Sequence, residues 1–73
     1  MKALYQAYYR EDKKTHQREY LRTNLFSTPA IQWTPTIEKA DKYSSYDAFL
    51  NNAKTMNLIV DEDKYNYDFE EVK

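Results

Sequence analysis

The chain contains no glycine. Glycine takes a positive backbone φ without steric cost, so tight turns and helix ends usually rely on it. Here those positions fall to Asn, Asp, Ser, Thr and Pro, which reach turn geometry less freely. The absence also excludes the P-loop and the dinucleotide-binding fingerprint, because both bring glycine backbone close to phosphate. Cysteine is absent too, which excludes a disulfide framework and a thiolate metal site.

The second constraint is the kind of apolar residue available. Leu, Ile, Val and Phe together number 13 of 73, roughly 18%, a low share for a folded domain. Eight Tyr and one Trp supply the missing apolar area, and tyrosine favours strands. The formal net charge of -1 gives no charge repulsion to keep the chain unfolded. One domain, residues 1–73, is expected. A chain this short buries little surface, so stabilisation by a partner, including a homodimer, is expected.

Residues 2–10 read as a tyrosine-rich strand. Ala3, Tyr5, Ala7 and Tyr9 share one face, and Leu4, Gln6, Tyr8 and Arg10 the other. The charged stretch 11–16 is a turn, and residues 17–26 return as a second strand with Tyr20, Leu21, Leu25 and Phe26. Ser27-Thr28-Pro29 breaks it. Residues 30–33 form a short third strand. Thr34-Pro35 reads as a helix start, and a turn over 36–42 points Ile37 and Ala40 inward. The main helix spans 46–56, capped by Ser44-Ser45, with Tyr46, Phe49, Leu50, Ala53 and Met56 as one apolar stripe. Asp47 suits its dipole, and Asn57 is the nearest substitute for a glycine cap. Leu58-Ile59-Val60 opens a last strand, interrupted at residues 61–64. Residues 65–70 alternate apolar and polar, as a half-exposed antiparallel strand does. The fold class is α+β: a small antiparallel sheet, made of the N-terminal hairpin and the C-terminal strand, with one main helix on one face.

The sequence carries no catalytic constellation. His16 is the single histidine and lies in a charged loop, without a nucleophile or an orienting partner in view. From Asp61, the cation-loop pattern fails at Tyr65 and Asn66 and again at Val72, where glutamate is required. Paired carboxylates for sugar hydrolysis are always to be found among 12 acids, and a chain this size rarely builds a substrate pocket. No enzyme, no metal and no cofactor are expected. There is no apolar run of signal-peptide or membrane-span length and no Asn-x-Ser/Thr acceptor, so a cytoplasmic location is the expectation.

Charge is uneven along the chain. Residues 1–36 carry +3 and residues 37–73 carry -4. Arg10, Lys13, Lys14, Arg18 and Arg22, interleaved with Tyr8, Tyr9 and Tyr20, would suit nucleic-acid binding, although Glu11, Asp12 and Glu19 interrupt the patch. The acidic counterpart is Asp61, Glu62, Asp63, Asp68, Glu70 and Glu71. On a strand, Asp68 and Glu70 point the same way about 7 Å apart, near the phosphate spacing of a nucleic-acid strand. With Tyr65 and Tyr67, whose rings suit interfaces, Asp61, Glu62, Asp63, Asp68 and Glu70 form the candidate partner-binding set.

Trp33-Thr34, then Ile37-Glu38-Lys39-Ala40, then Lys42-Tyr43-Ser44-Ser45-Tyr46-Asp47-Ala48 resembles small accessory proteins of phages and prophages of Gram-positive bacteria. The resemblance covers most of the chain and brings no catalytic residues. It implies a protein that binds and blocks host machinery, anti-CRISPR inhibitors included. The leading expectation is therefore inhibition of a host nucleic-acid-processing or defence protein through the acidic, tyrosine-rich strand. The alternatives are a nucleic-acid-binding module using the first hairpin, and a small-ligand sponge lined by Tyr and Trp33 at a dimer interface.

Overall fold

The computed structural model describes residues 5–24, 26 and 28–72. Its elements are β1 (Tyr5–Asp12), β2 (Arg18–Thr23), β3 (Ile31–Thr34), a single 3-10 turn (Ile37–Lys39), α1 (Tyr46–Met56) and β4 (Tyr65–Val72). The strands form one antiparallel sheet in the order β3-β2-β1-β4, with α1 on one face. This is the α+β architecture that the pattern of strands and helix along the chain called for. Among the described residues no helix is long and apolar enough to cross a membrane.

Strand period assigns the faces. Tyr8 lies on the α1 side, where it clusters with Leu21, Tyr43 and Phe49. Ala7 and Tyr9 lie on the other, with Tyr20, Ala40 and Ile37. Rings dominate the centre of the α1 side, around the fully buried Leu21. The Tyr8 ring lies 4.3 Å from Phe49 and 5.0 Å from Phe69, and Phe49 and Phe69 are themselves 5.0 Å apart. Aromatic pairs at these spacings are worth about 0.5–1.5 kcal/mol each beyond their buried area. Tyrosine and phenylalanine thus do the work that aliphatic residues do in an ordinary core.

The helix begins and ends where its sequence directs. The Ser45 side chain accepts the Ala48 N–H at 3.1 Å. Asn57 sits in the left-handed region at φ 53 and donates its N–H toward the Ala53 and Lys54 carbonyls. Within the expected stripe Phe49 is buried and Leu50, Ala53 and Met56 are half-buried, while Tyr46 is exposed.

Several expectations need correction. The first strand runs on to Asp12, because the Asp12 carboxylate accepts the Lys14 and Thr15 N–H groups and so builds the turn beyond it. The second strand ends at Thr23. Thr34 is the last residue of β3, and the helical segment after it is one 3-10 turn without a side-chain cap. Leu58–Val60 is irregular, since Leu58 donates its N–H to the Ala53 carbonyl and closes the helix instead. Ala3, Leu4, Leu25 and Ser27 lie outside the described residues.

The hairpin is also not a continuous ladder. β1 and β2 pair only over Tyr9–Glu11 and Arg18–Tyr20. Beyond that they part, and residues 41–43 fill the gap. Gln6 and Tyr43 exchange backbone hydrogen bonds at 2.9 and 2.8 Å, and Asp41 donates its N–H to Leu21 at 3.0 Å. The Asp41 carboxylate accepts both the N–H and the hydroxyl of Thr23. The Tyr43 hydroxyl accepts from Asn52 of α1 at 2.7 Å. The wedge thus replaces missing strand pairing and ties the helix to the sheet.

Among the described residues the two with positive φ are Asn57 and His16, the latter at φ 61. His16 closes the β1–β2 turn, where its N–H reaches the Asp12 carbonyl at 2.8 Å. A side chain with a Cβ pays roughly 1–2 kcal/mol for that conformation, and a β-branched one at least as much. His16→Gly should therefore hold or raise stability by up to about 1 kcal/mol, and His16→Val should lower it by about 1–2 kcal/mol. Urea unfolding of the three chains checks this order. A destabilised glycine variant would contradict it.

Candidate functional site

The antiparallel registers put opposite charges on neighbouring strands. Glu11 faces Arg18 and Arg10 faces Glu19 across β1–β2, while Glu70 of β4 stands opposite Ala7 of β1. On the sheet face away from α1, Arg18 Nε donates to Glu11 Oε1 at 2.8 Å and its Nη1 to Glu70 Oε1 at 2.7 Å. The Tyr20 hydroxyl donates to the same Glu70 oxygen at 3.0 Å. The Arg18 guanidinium also lies 4.2 Å from the Tyr9 ring centre, a cation–π contact. Its hydrogen bond holds the Glu11 carboxyl below the usual carboxylate range, and Glu11 and Glu70 in turn raise the Arg18 pKa.

Arg10 is held on the opposite face. Its guanidinium lies 4.3 Å from the ring centres of both Trp33 and Tyr65 and reaches Glu19 at 3.0 Å. Trp33 also packs against Tyr67, 6.2 Å away between centroids. Lys13 donates its N–H to the Lys64 carbonyl at 3.1 Å and its Nζ to the Glu62 carbonyl at 2.5 Å. Of the five basic candidates, Arg10, Lys13 and Arg18 are engaged within the fold. Lys14 and Arg22 are exposed. The five do not form one patch: Arg10 and Arg18 lie on opposite faces, and Lys13 and Lys14 lie in the turn.

The acidic candidates divide as well. Asp61 builds the turn into β4. Its carboxylate accepts the N–H groups of Asp63 and Lys64 at 3.2 and 3.3 Å, and its carbonyl accepts that of Tyr65 at 3.0 Å. Tyr67 then accepts the Asp61 N–H on its hydroxyl at 2.8 Å. Glu62, Asp63 and Asp68 are exposed, whereas Glu70 is half-buried in the Arg18 network. Tyr65 and Tyr67 are half-buried on the α1 side, and Asp68 and Glu70 lie on the reverse face. The strand brings Asp68 and Glu70 together, as expected, and sets the two tyrosines apart from them.

One feature escaped the sequence reading. Ile59 is 84% exposed and Val60 45%, directly before Asp61-Glu62-Asp63. The five residues line one shallow depression. The available signal was an apolar pair abutting an acidic triplet, and assigning the pair to a strand concealed it.

His16 is exposed, with Nδ1 3.8 Å from Glu11. Among the described residues no group of three His, Cys, Asp or Glu is placed to hold a metal ion. No protein-family model, curated protein or solved structure matches the chain.

Burial acts on three tyrosine hydroxyls. It pushes Tyr8 up to about 12, helped by nearby Tyr67, and raises Tyr20 and Tyr43, with the Glu70 hydrogen bond adding to the effect at Tyr20. A raised phenol pKa means that the folded chain keeps its protons longer than the unfolded one. The associated stability is fully present below pH 10.0 and is lost as pH rises from there through about 12. Urea midpoints should hold from about pH 8 to 9.5 and fall by about pH 11, with a shallower fall in Tyr8→Phe. A midpoint level across that range would contradict the burial.

Proposed function

We propose that the chain is a non-enzymatic binding protein that docks on a basic surface of a host nucleic-acid-processing or defence protein and blocks it. The observation that carries this reading is the exposed Ile59–Val60 pair set against the carboxylates of Glu62 and Asp63. Apolar anchors surrounded by charge have the anatomy of a protein interface, in which a few residues supply most of the energy. Asp68 extends the negative surface along β4. Basic patches that hold a nucleic-acid backbone would attract such a surface. The resemblance of the Trp33–Ala48 segment to phage accessory proteins supports the setting, a protein acting on bacterial host machinery.

The nucleic-acid alternative gains less support. Arg10 and Arg18 are committed to Glu19, Glu11 and Glu70, so a phosphate backbone would have to displace those carboxylates.

The tagged chain, used as bait in host lysate treated with nuclease, should retain one protein in stoichiometric amount. Ile59→Asp should weaken that capture about thirtyfold, the usual effect of losing an anchor worth about 2 kcal/mol. Glu62→Lys with Asp63→Lys should weaken it further while leaving the unfolding temperature unchanged. Retention that disappears with nuclease and falls steeply with salt would overturn the reading in favour of direct nucleic-acid binding.

A further inference from the structure

We propose that the outer edge of β4 accepts an added β-strand from an extended, lysine- or arginine-bearing segment of the partner. This rests on the reading of the acidic end as the binding surface, and it specifies how the partner is held.

The edge is open by topology. Among the described residues β4 is the last strand of the sheet and pairs only with β1. Backbone direction alternates along a strand. Gln6 uses its N–H and C=O toward Tyr43, and Asp12 donates its N–H toward Gln17, so the even-numbered residues of β1 face away from β4. Ala7, Tyr9 and Glu11 therefore face β4, where their register partners are Glu70, Asp68 and Asn66. This leaves Tyr65, Tyr67, Phe69 and Glu71 with their N–H and C=O groups directed to the outer edge. The Tyr65 N–H is taken by the Asp61 carbonyl. The Phe69 N–H is taken by the carboxylate of its neighbour Asp68 at 2.8 Å. Tyr67 and Glu71 present the remaining donors, and all four residues present carbonyls. A row of this kind is a template for another strand.

Charge selects the occupant. β4 carries Asp68, Glu70 and Glu71 and no basic residue. A second copy of the chain fits poorly. The two antiparallel registers with the longest overlap, centred on Asp68 or on Phe69, set Asp68 against Asp68 or against Glu70, and like charges directly opposite each other destabilise a strand pair. An incoming lysine or arginine instead neutralises Asp68. It also draws the carboxylate from the Phe69 N–H and frees that donor for the new strand. The other edge of the sheet, β3, is only 4 residues long, so β4 offers the longer template.

The probe is a fluorescent peptide of about ten residues alternating lysine with threonine and valine, and a control replaces each lysine by glutamate. The wild-type chain should bind the lysine peptide and not the control, and the exchange of the Tyr67 and Glu71 amides should slow about tenfold in the complex. Glu71→Pro removes an outward donor and leaves the β1-facing bonds of Glu70 and Val72 in place. It should weaken binding about tenfold, with folding checked by circular dichroism. Should that variant fail to fold, exchange of the two wild-type amides decides the matter. Peptide binding without slower exchange at Tyr67 and Glu71, or no binding at all, overturns strand addition. If Ile59→Asp still weakens capture of the host protein, the proposed function stands without it. Protection of the same amides that grows with protein concentration in the absence of peptide assigns the edge to a second copy and also overturns the proposal.

Discussion

The packing of Phe49 against Tyr8 is the contact on which the rest of the structure depends. Tyr8 sits on β1, which pairs with β4 on one side and with β2 on the other, and Phe49 is the one buried residue of α1. Their rings, 4.3 Å apart, are joined by Phe69 from β4 and Tyr43 from the wedge, which lies 5.4 Å from Phe49. The second cluster, Ala7, Tyr20 and Ala40 on the other face, contains only one large side chain. An aromatic core also carries polar tips, and these tips are used. Tyr43 bonds to Asn52 and Tyr67 to the turn at Asp61. Each hydroxyl fixes a segment that strand pairing leaves free, so the same residues supply packing and orientation.

Charge is arranged by the same sheet. Arg18 of the basic half reaches Glu70 of the acidic half across the sheet, while Glu11–Arg18 and Arg10–Glu19 pair within the first hairpin. Exposed pairs of this kind add little stability. Their larger effect is on recognition, because they withdraw Arg10, Arg18 and Glu70 from external partners. The acidic side chains left exposed on the β4 side are Glu62, Asp63, Asp68 and Glu71, with the exposed Lys64 among them and Lys42 beside Glu71. An apolar pair and an open strand edge lie beside them, and that combination is what directs the functional reading toward a basic protein segment.

Sequence alone revealed much of this fold where the signal was local. The bounds of α1 followed from Ser45, the Phe49–Leu50–Ala53 spacing and Asn57. The faces of β1 followed from the two-residue strand period, and the strand at Tyr65 from strict alternation. What was hidden depended on distant partners. Nothing near Asp41 announces that residues 41–43 insert between two strands, because that position is set by Thr23, Leu21 and Gln6. His16 at positive φ was equally hidden, since the turn demanded that conformation and no glycine was present to mark it. The candidate site was legible in part. Asp68 and Glu70 do share a face, but the commitment of Glu70 to Arg18 needed the strand order. The exposure of Ile59 needed the knowledge that Leu58 turns back to close the helix.

The most direct test of this account is amide hydrogen exchange, residue by residue, along β4 in the free chain. Slow exchange at Asn66, Asp68, Glu70 and Val72 beside fast exchange at Tyr67 and Glu71 is the expected pattern, and it would establish both the register and the open edge. Equal protection of the two sets would mean that the edge is already covered, and equal exposure would mean that β4 is not held by β1. Either result would contradict the account.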